Sequence, residues 1–137
     1  MVSIIKKYAV YITFGIAFAG IVGSLTFSEL LGYPPCVLCW WQRICIYPLA
    51  VIALVGILRK DSKVLYYLLP LASIGWCIAL YHNLLTWGVV SEALAPCTAG
   101  VSCITQPFAL FGFITIPFLS LMALSSILVS LIISLRK

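Results

Sequence analysis

Long apolar runs separated by short polar stretches set the organisation of this chain. Four runs reach the roughly 20 residues that a helix needs to cross a hydrocarbon core. They lie at about Tyr8–Phe27, Trp41–Leu58, Val64–Leu85 and Phe111–Leu135. The pattern predicts an all-α, polytopic membrane protein: a four-transmembrane-helix bundle, a single domain over residues 1–137, with two short extracytoplasmic loops. The first run follows Lys6 and Lys7, as in a signal peptide, but it exceeds the 7–15 apolar residues of a signal core and is expected to be retained. On it, Gly15, Ala19 and Gly23 recur at every fourth position, a stripe of small residues against which another helix can pack closely; the equally open alternative is glycine scattered through a lipid-facing helix.

Composition makes lipid the natural solvent. Of 137 residues, 64% are hydrophobic and 8% charged, and the mean hydropathy is +1.22. A water-soluble domain has too much surface to cover with so few charges. The net charge of +5 would suit nucleic acid if the basic residues formed a stripe interleaved with aromatics, and they do not. Lys6 and Lys7, Arg59, Lys60 and Lys63, and Arg136 and Lys137 instead sit at the edges of the apolar runs. Four spans bring all of these to one side, which the positive-inside rule makes cytoplasmic, together with both termini. The segments Ser28–Trp40 and Thr86–Leu110 then face the other side and carry Glu29 and Glu92 with no lysine or arginine. Tyr33, Trp40, Trp41 and Trp87 fall at the outer headgroup depth, and Tyr66 and Tyr67 at the inner one, as anchors.

Of six cysteines, Cys45 and Cys77 fall within the second and third spans, where a thiol behaves as a small apolar residue. The other four lie two in each extracytoplasmic loop, in a compartment where disulfides persist. Cys36-Val37-Leu38-Cys39 is a C-x-x-C, the spacing of a small, often reactive disulfide ring, preceded by Pro34 and Pro35 and followed at once by a helix. Cys39 is therefore placed at or near a helix N-terminus, whose free amides and dipole favour a thiolate. Arg43, four residues on, shares its face and is expected to lower the thiol pKa further. An arginine at the bilayer rim is a functional candidate; the plainer role is snorkelling to lipid phosphate. Cys97 and Cys103 flank small, flexible residues, which suits a stapled loop or one half of a relay. A four-cysteine zinc site is disfavoured, because C-x2-C with a distant C-x5-C is not a typical ribbon. Haem attachment needs histidine after the C-x-x-C, and Trp40 stands there.

A disulfide relay needs an electron acceptor. The chain has no dinucleotide fingerprint, so a quinone from the lipid phase is the available two-electron acceptor. Arg43 is placed to bond a quinone carbonyl and stabilise the charge that develops there. His82, in Tyr81-His82-Asn83 near the outer end of the third span, is a second candidate for bonding the quinone or moving a proton; the plainer role is an interfacial histidine satisfied by backbone or water.

With Pro35-Cys36-Val37-Leu38-Cys39 and Arg43, Tyr81-His82, Cys97 and Cys103, and Phe111-Gly112-Phe113-Ile114-Thr115-Ile116-Pro117, the chain resembles the disulfide bond formation protein B family (DsbB and its BdbC relatives) over essentially its whole length. The cysteines of the second loop are six positions apart, like the short BdbC form rather than the longer DsbB proteins. The resemblance implies a thiol-to-quinone oxidoreductase that regenerates an extracytoplasmic thioredoxin-fold thiol oxidase (DsbA- or BdbD-like), with menaquinone or ubiquinone as cofactor. It implies that Cys97 takes the mixed disulfide, that Cys103 exchanges with Cys36 to free Cys39 as the thiolate facing the quinone, and that Arg43 and His82 line the quinone site. Three other readings compete. A vitamin K epoxide reductase-like enzyme carries its C-x-x-C in a later helix, after the loop cysteines, the reverse of the order here. A non-catalytic membrane subunit would use the cysteines only to hold two loops. A thiol-reducing transporter would run electrons the other way, and is less attractive without an intramembrane cysteine pair.

Overall fold

The computed structural model describes residues 2–91, 109–110 and 114–137. Helix α1 (Val2–Leu25) continues into a π-helical turn (Thr26–Leu30); α2 (Val37–Arg59), α3 (Val64–Thr86) and α4 (Ile116–Arg136) follow. Two short strands, β1 (Ala109–Leu110) and β2 (Ile114–Thr115), pair antiparallel, Ala109 opposite Thr115, and lead into α4. All four helices are long and apolar enough to cross a membrane. Each packs on its sequence neighbours, and α1 closes the ring against α4.

Three helix starts differ from the expectation. The first, that of α1, falls at Val2 rather than Tyr8, taking Lys6 and Lys7 into the helix. Helix α2 begins at Val37 rather than Trp41, because Pro34 and Pro35 stop the chain from coiling sooner and nothing after Cys36 does. Helix α4 begins at Ile116 rather than Phe111: Ile114 and Thr115 are strand, and Phe111–Phe113 lie outside the described residues. Thr115 caps α4 by accepting from Phe118 N at 3.4 Å, and Pro117 sits in the first turn, where a missing N–H costs nothing.

For the small residues of α1, the lipid-facing alternative holds at Gly15 and Ala19. Gly15 and Ala19 are exposed, and a Cβ added at Gly15 or Gly23 would meet nothing within 4 Å. The packed face of α1 is instead Ala9, Thr13 and Ala17, with Thr13 Oγ1 turned back to Ala9 O at 2.8 Å. Close helix approach occurs elsewhere, at Gly56 against Val64 and at Gly75 against Cys45 and Leu124. Leu49, Ala53, Leu65, Leu68, Leu124 and Leu131 fill the axis of the bundle. Phe18, Val51, Ile74 and Val129 face outward and are more than half exposed, as lipid-facing residues are.

Tight turns hold the ends. Lys60 closes α2 in the left-handed region (φ 55°), so that the amides of Lys60 and Asp61 return to Ile57 O and Gly56 O. Asp61 Oδ1 accepts from Lys63 N at 2.9 Å at the start of α3. At the opposite end, Asn83 on α3 donates to Pro117 O at 2.9 Å and fixes the first turn of α4. The two cysteines of the C-x-x-C lie at this second end, away from the Arg59–Lys63 turn.

Candidate active site

Cys36 is the N-cap of α2, extended at φ −75° and ψ 171°, and Cys39 lies in the first turn. Spacing by three along a helix puts side chains on one face, and the two sulfurs stand 3.2 Å apart as free thiols. Cys36 is buried and Cys39 half-buried. The Cys36 thiol is held down to about 4, chiefly by the hydrogen bond with the Cys39 thiol, which outweighs burial; the His82 ring adds to the effect. The Cys39 amide contributes too, without forming a side-chain cap bond. The expectation placed the thiolate on Cys39. The low pKa falls instead on Cys36, chiefly through the hydrogen bond with the Cys39 thiol, with His82 facing it and the Cys39 amide at the start of α2 adding to the effect.

His82 is fully buried on α3. Its Nε2 lies 3.8 Å from Cys36 Sγ, and its Nδ1 accepts from Gln42 Nε2 at 3.0 Å. Ser120 on α4 in turn donates to Gln42 Oε1 at 2.6 Å. That hydroxyl orients the carboxamide, and the carboxamide occupies Nδ1 and leaves Nε2 turned toward Cys36. Three helices thus meet through a polar chain from Ser120 to Cys39, buried at Gln42, His82 and Cys36. Gln42 and Ser120 were not singled out in the sequence. The available signal for Gln42 was an uncharged polar residue inside an apolar span, beside Arg43, where it needs a partner.

Arg43 turns toward α1. Its Nε donates to Ser24 Oγ at 2.7 Å and its Nη2 to Ser24 O at 3.0 Å, while the guanidinium lies 5.2 Å from the Trp40 ring centroid. The π-helical turn begins two residues after Ser24, and such turns often mark functional sites. These contacts hold the guanidinium inside the fold, in place of the snorkelling expected of a lipid-facing arginine.

A cavity of about 270 Å³ opens between α1, α2 and α4. Cys36, Cys39, Gln42, Arg43 and Ser120 form its polar end, and Ile16, Gly20, Ile46, Ala123 and Ile127 extend it as an apolar slot along the bundle. His82 is not in the cavity wall. It stands behind Cys36 and Gln42 and reaches the cavity through them. Cys97 and Cys103 lie outside the described residues. Cys45 is buried at the α2–α3 contact and Cys77 is exposed.

Comparison with known proteins agrees with this arrangement. The family model described as disulfide bond formation protein DsbB matches residues 6–135. The chain is 41% identical over 119 residues to disulfide bond formation protein C of Bacillus subtilis, covering 87% of this chain and 86% of that one. It is 42% identical over 132 residues to probable disulfide formation protein C 2 of Bacillus anthracis, covering 96% and 94%. It is 37% identical over 134 residues to a probable disulfide formation protein of Chlamydia pneumoniae, covering 98% and 96%. No solved structure matches the chain. With the match running along nearly its full length and a cysteine pair at one end of a membrane-spanning bundle, the chain belongs to the DsbB family of membrane oxidoreductases in disulfide bond formation.

Proposed function

We propose that the protein transfers two electrons from the thiols of an extracytoplasmic thioredoxin-fold oxidase, through Cys97–Cys103 and then Cys36–Cys39, to a quinone of the membrane. The observation that carries this reading is the cavity. Its wall contains both sulfurs of the dithiol, its rim holds Arg43, and its apolar slot has the character of a site for an isoprenoid-tailed ring. Menaquinone and ubiquinone both fit that description. A quinone bound there supplies an acceptor for two electrons and two protons.

The chain's own residues do the rest. Cys97 takes the mixed disulfide with the partner, Cys103 displaces Cys39 from Cys36, and Cys39 is left as the sulfur facing the cavity. The partner's second thiol then displaces Cys97, and Cys97 displaces Cys36 from Cys103; each exchange makes one S–S bond and breaks another, and the Cys36–Cys39 dithiol that results re-forms its disulfide as two electrons and two protons leave for the acceptor. Arg43, held by Ser24, presents a fixed positive charge to an oxygen that gains negative charge. His82, with Nε2 beside Cys36, is placed to hold or give a proton there, backed by Gln42. The basic Arg59–Lys63 turn and the Lys6–Lys7 and Arg136–Lys137 ends lie in the cytoplasm in this reading, and the cysteine end faces outward.

Purified protein supplied with a reduced thioredoxin-fold partner and a short-chain quinone tests the proposal. Quinone reduction is expected in step with partner oxidation, and Cys39→Ser is expected to abolish it. Arg43→Met should lower kcat/KM for the quinone by about 10- to 100-fold, the worth of a charge-assisted hydrogen bond. Undiminished turnover by Cys39→Ser would defeat the assignment.

A further inference from the structure

We propose that the reduced protein carries a binding site for one soft divalent cation, of the zinc or cadmium class, formed by Cys36 Sγ, Cys39 Sγ and His82 Nε2. This differs from the four-cysteine zinc site set aside from the sequence, since it uses a single cysteine pair and a histidine from another helix. It rests on the geometry of the dithiol, and not on what accepts the electrons.

The three donors lie within 4.8 Å of one another. Zinc–sulfur bonds of about 2.3 Å and zinc–nitrogen bonds of about 2.0–2.1 Å at tetrahedral angles put two sulfurs about 3.8 Å apart and sulfur and nitrogen about 3.6 Å apart. The sulfurs stand at 3.2 Å, and Cys36 Sγ and His82 Nε2 at 3.8 Å. The sulfurs would part by about 0.6 Å, and Cys39 Sγ and His82 Nε2, within 4.8 Å of each other, would close by no more than about 1.2 Å, movements that side-chain torsions supply. Two thiolates and an imidazole form the Cys2His set that leaves a fourth position open, and the wall holding both sulfurs faces the cavity.

An outer shell is already built. A metal-bound histidine donates its other ring N–H to an acceptor. Rotating the Gln42 carboxamide by half a turn presents Oε1 to His82 Nδ1 and Nε2 to Ser120 Oγ, so every partner stays paired. The charge closes as well. One divalent cation with two thiolates is neutral, which suits a site where His82 is fully buried. Binding forms two metal–sulfur bonds and one metal–nitrogen bond and displaces the remaining thiol protons to solvent. A Cys36–Cys39 disulfide has no thiolate to offer, so the site exists only in the reduced form, and its occupancy withholds the dithiol from oxidation.

The probe is cadmium, titrated into the full chain bearing Cys97→Ser and Cys103→Ser, so that the second loop contributes no thiol. Reduced protein is expected to take up one ion with a sulfur-to-cadmium charge-transfer band, and the oxidised protein none. Gln42→Leu should weaken binding by about 10- to 100-fold, as loss of an outer-shell partner does, and His82→Ala by more. Should His82→Ala not fold, X-ray absorption on the zinc-loaded parent decides. Two sulfurs and a nitrogen in the first shell support the site, and a shell of sulfur alone or of oxygen overturns it. Equal uptake by reduced and oxidised protein also overturns it. Quinone turnover by the unsubstituted chain, measured with chelator present, reports on the redox reading separately. Turnover without metal uptake sinks this site and spares that reading, and uptake without turnover does the reverse.

Discussion

Cys36 concentrates the chemistry of a single residue. It ends an extended, proline-stiffened approach, opens a helix, and meets both a thiol and an imidazole. Its thiol is lowered to about 4, chiefly by the hydrogen bond with the Cys39 thiol. Its alkylation rate, read peptide by peptide in reduced protein, is expected to hold constant from neutral pH to about 5 and to halve near pH 4, whereas an ordinary thiol with a pKa of about 8.5 loses rate tenfold per unit below that value. His82→Ala should move the midpoint upward, because His82 is among the groups that lower it. A midpoint that stays above 7 in the parent would contradict the local geometry. The C-x-x-C and Arg43 were legible at this scale from residue type and spacing alone. The placement of the thiolate was not, because it depends on which residue is the N-cap and on a histidine 46 positions away.

At the scale of elements, the apolar runs located the helices well, since length and hydropathy are local properties. Their ends were less legible. The start of α4 is decided by a strand pairing of Ile114–Thr115 with Ala109–Leu110, which no single run contains. The glycines tell the same story. The evenly spaced Gly15 and Gly23 have open space where a Cβ would stand, while Gly56 and Gly75, without any such repeat, sit at the tight contacts. A Cβ at Gly56 would stand 2.7, 2.8 and 3.0 Å from the Cγ1, Cγ2 and Cβ atoms of Val64, so no rotamer of that valine clears it. Gly56→Ala is therefore expected to destabilise the bundle by about 1–3 kcal/mol, read as a lower melting temperature in detergent. Val64→Ala in the same chain should restore much of the loss, because the two changes share one contact. Additive losses would show that the close approach is not the cause.

The whole molecule adds the cavity, which belongs to no helix. Ala123→Phe on α4 projects a ring into the slot between α1 and α4. It is expected to lower quinone turnover about 10-fold or more while a single oxidation of the partner by the cysteines proceeds. Equal loss of both steps would move the acceptor site elsewhere. Sidedness is tested on intact cells: a cysteine placed at Ser62, in the turn between α2 and α3, should react with an impermeant maleimide only after the membrane is opened. By itself the sequence determined the solvent, the number of spans, the clustering of basic residues at one set of span edges and the C-x-x-C at the start of a helix, because hydropathy, charge placement and short motifs act over a few residues. Only the tertiary structure decided that Gln42 and Ser120 hold His82, that His82 stands behind the cavity wall, and that Arg43 is tied to Ser24. These pairings join side chains from different helices, and nothing in a one-dimensional pattern says which faces meet.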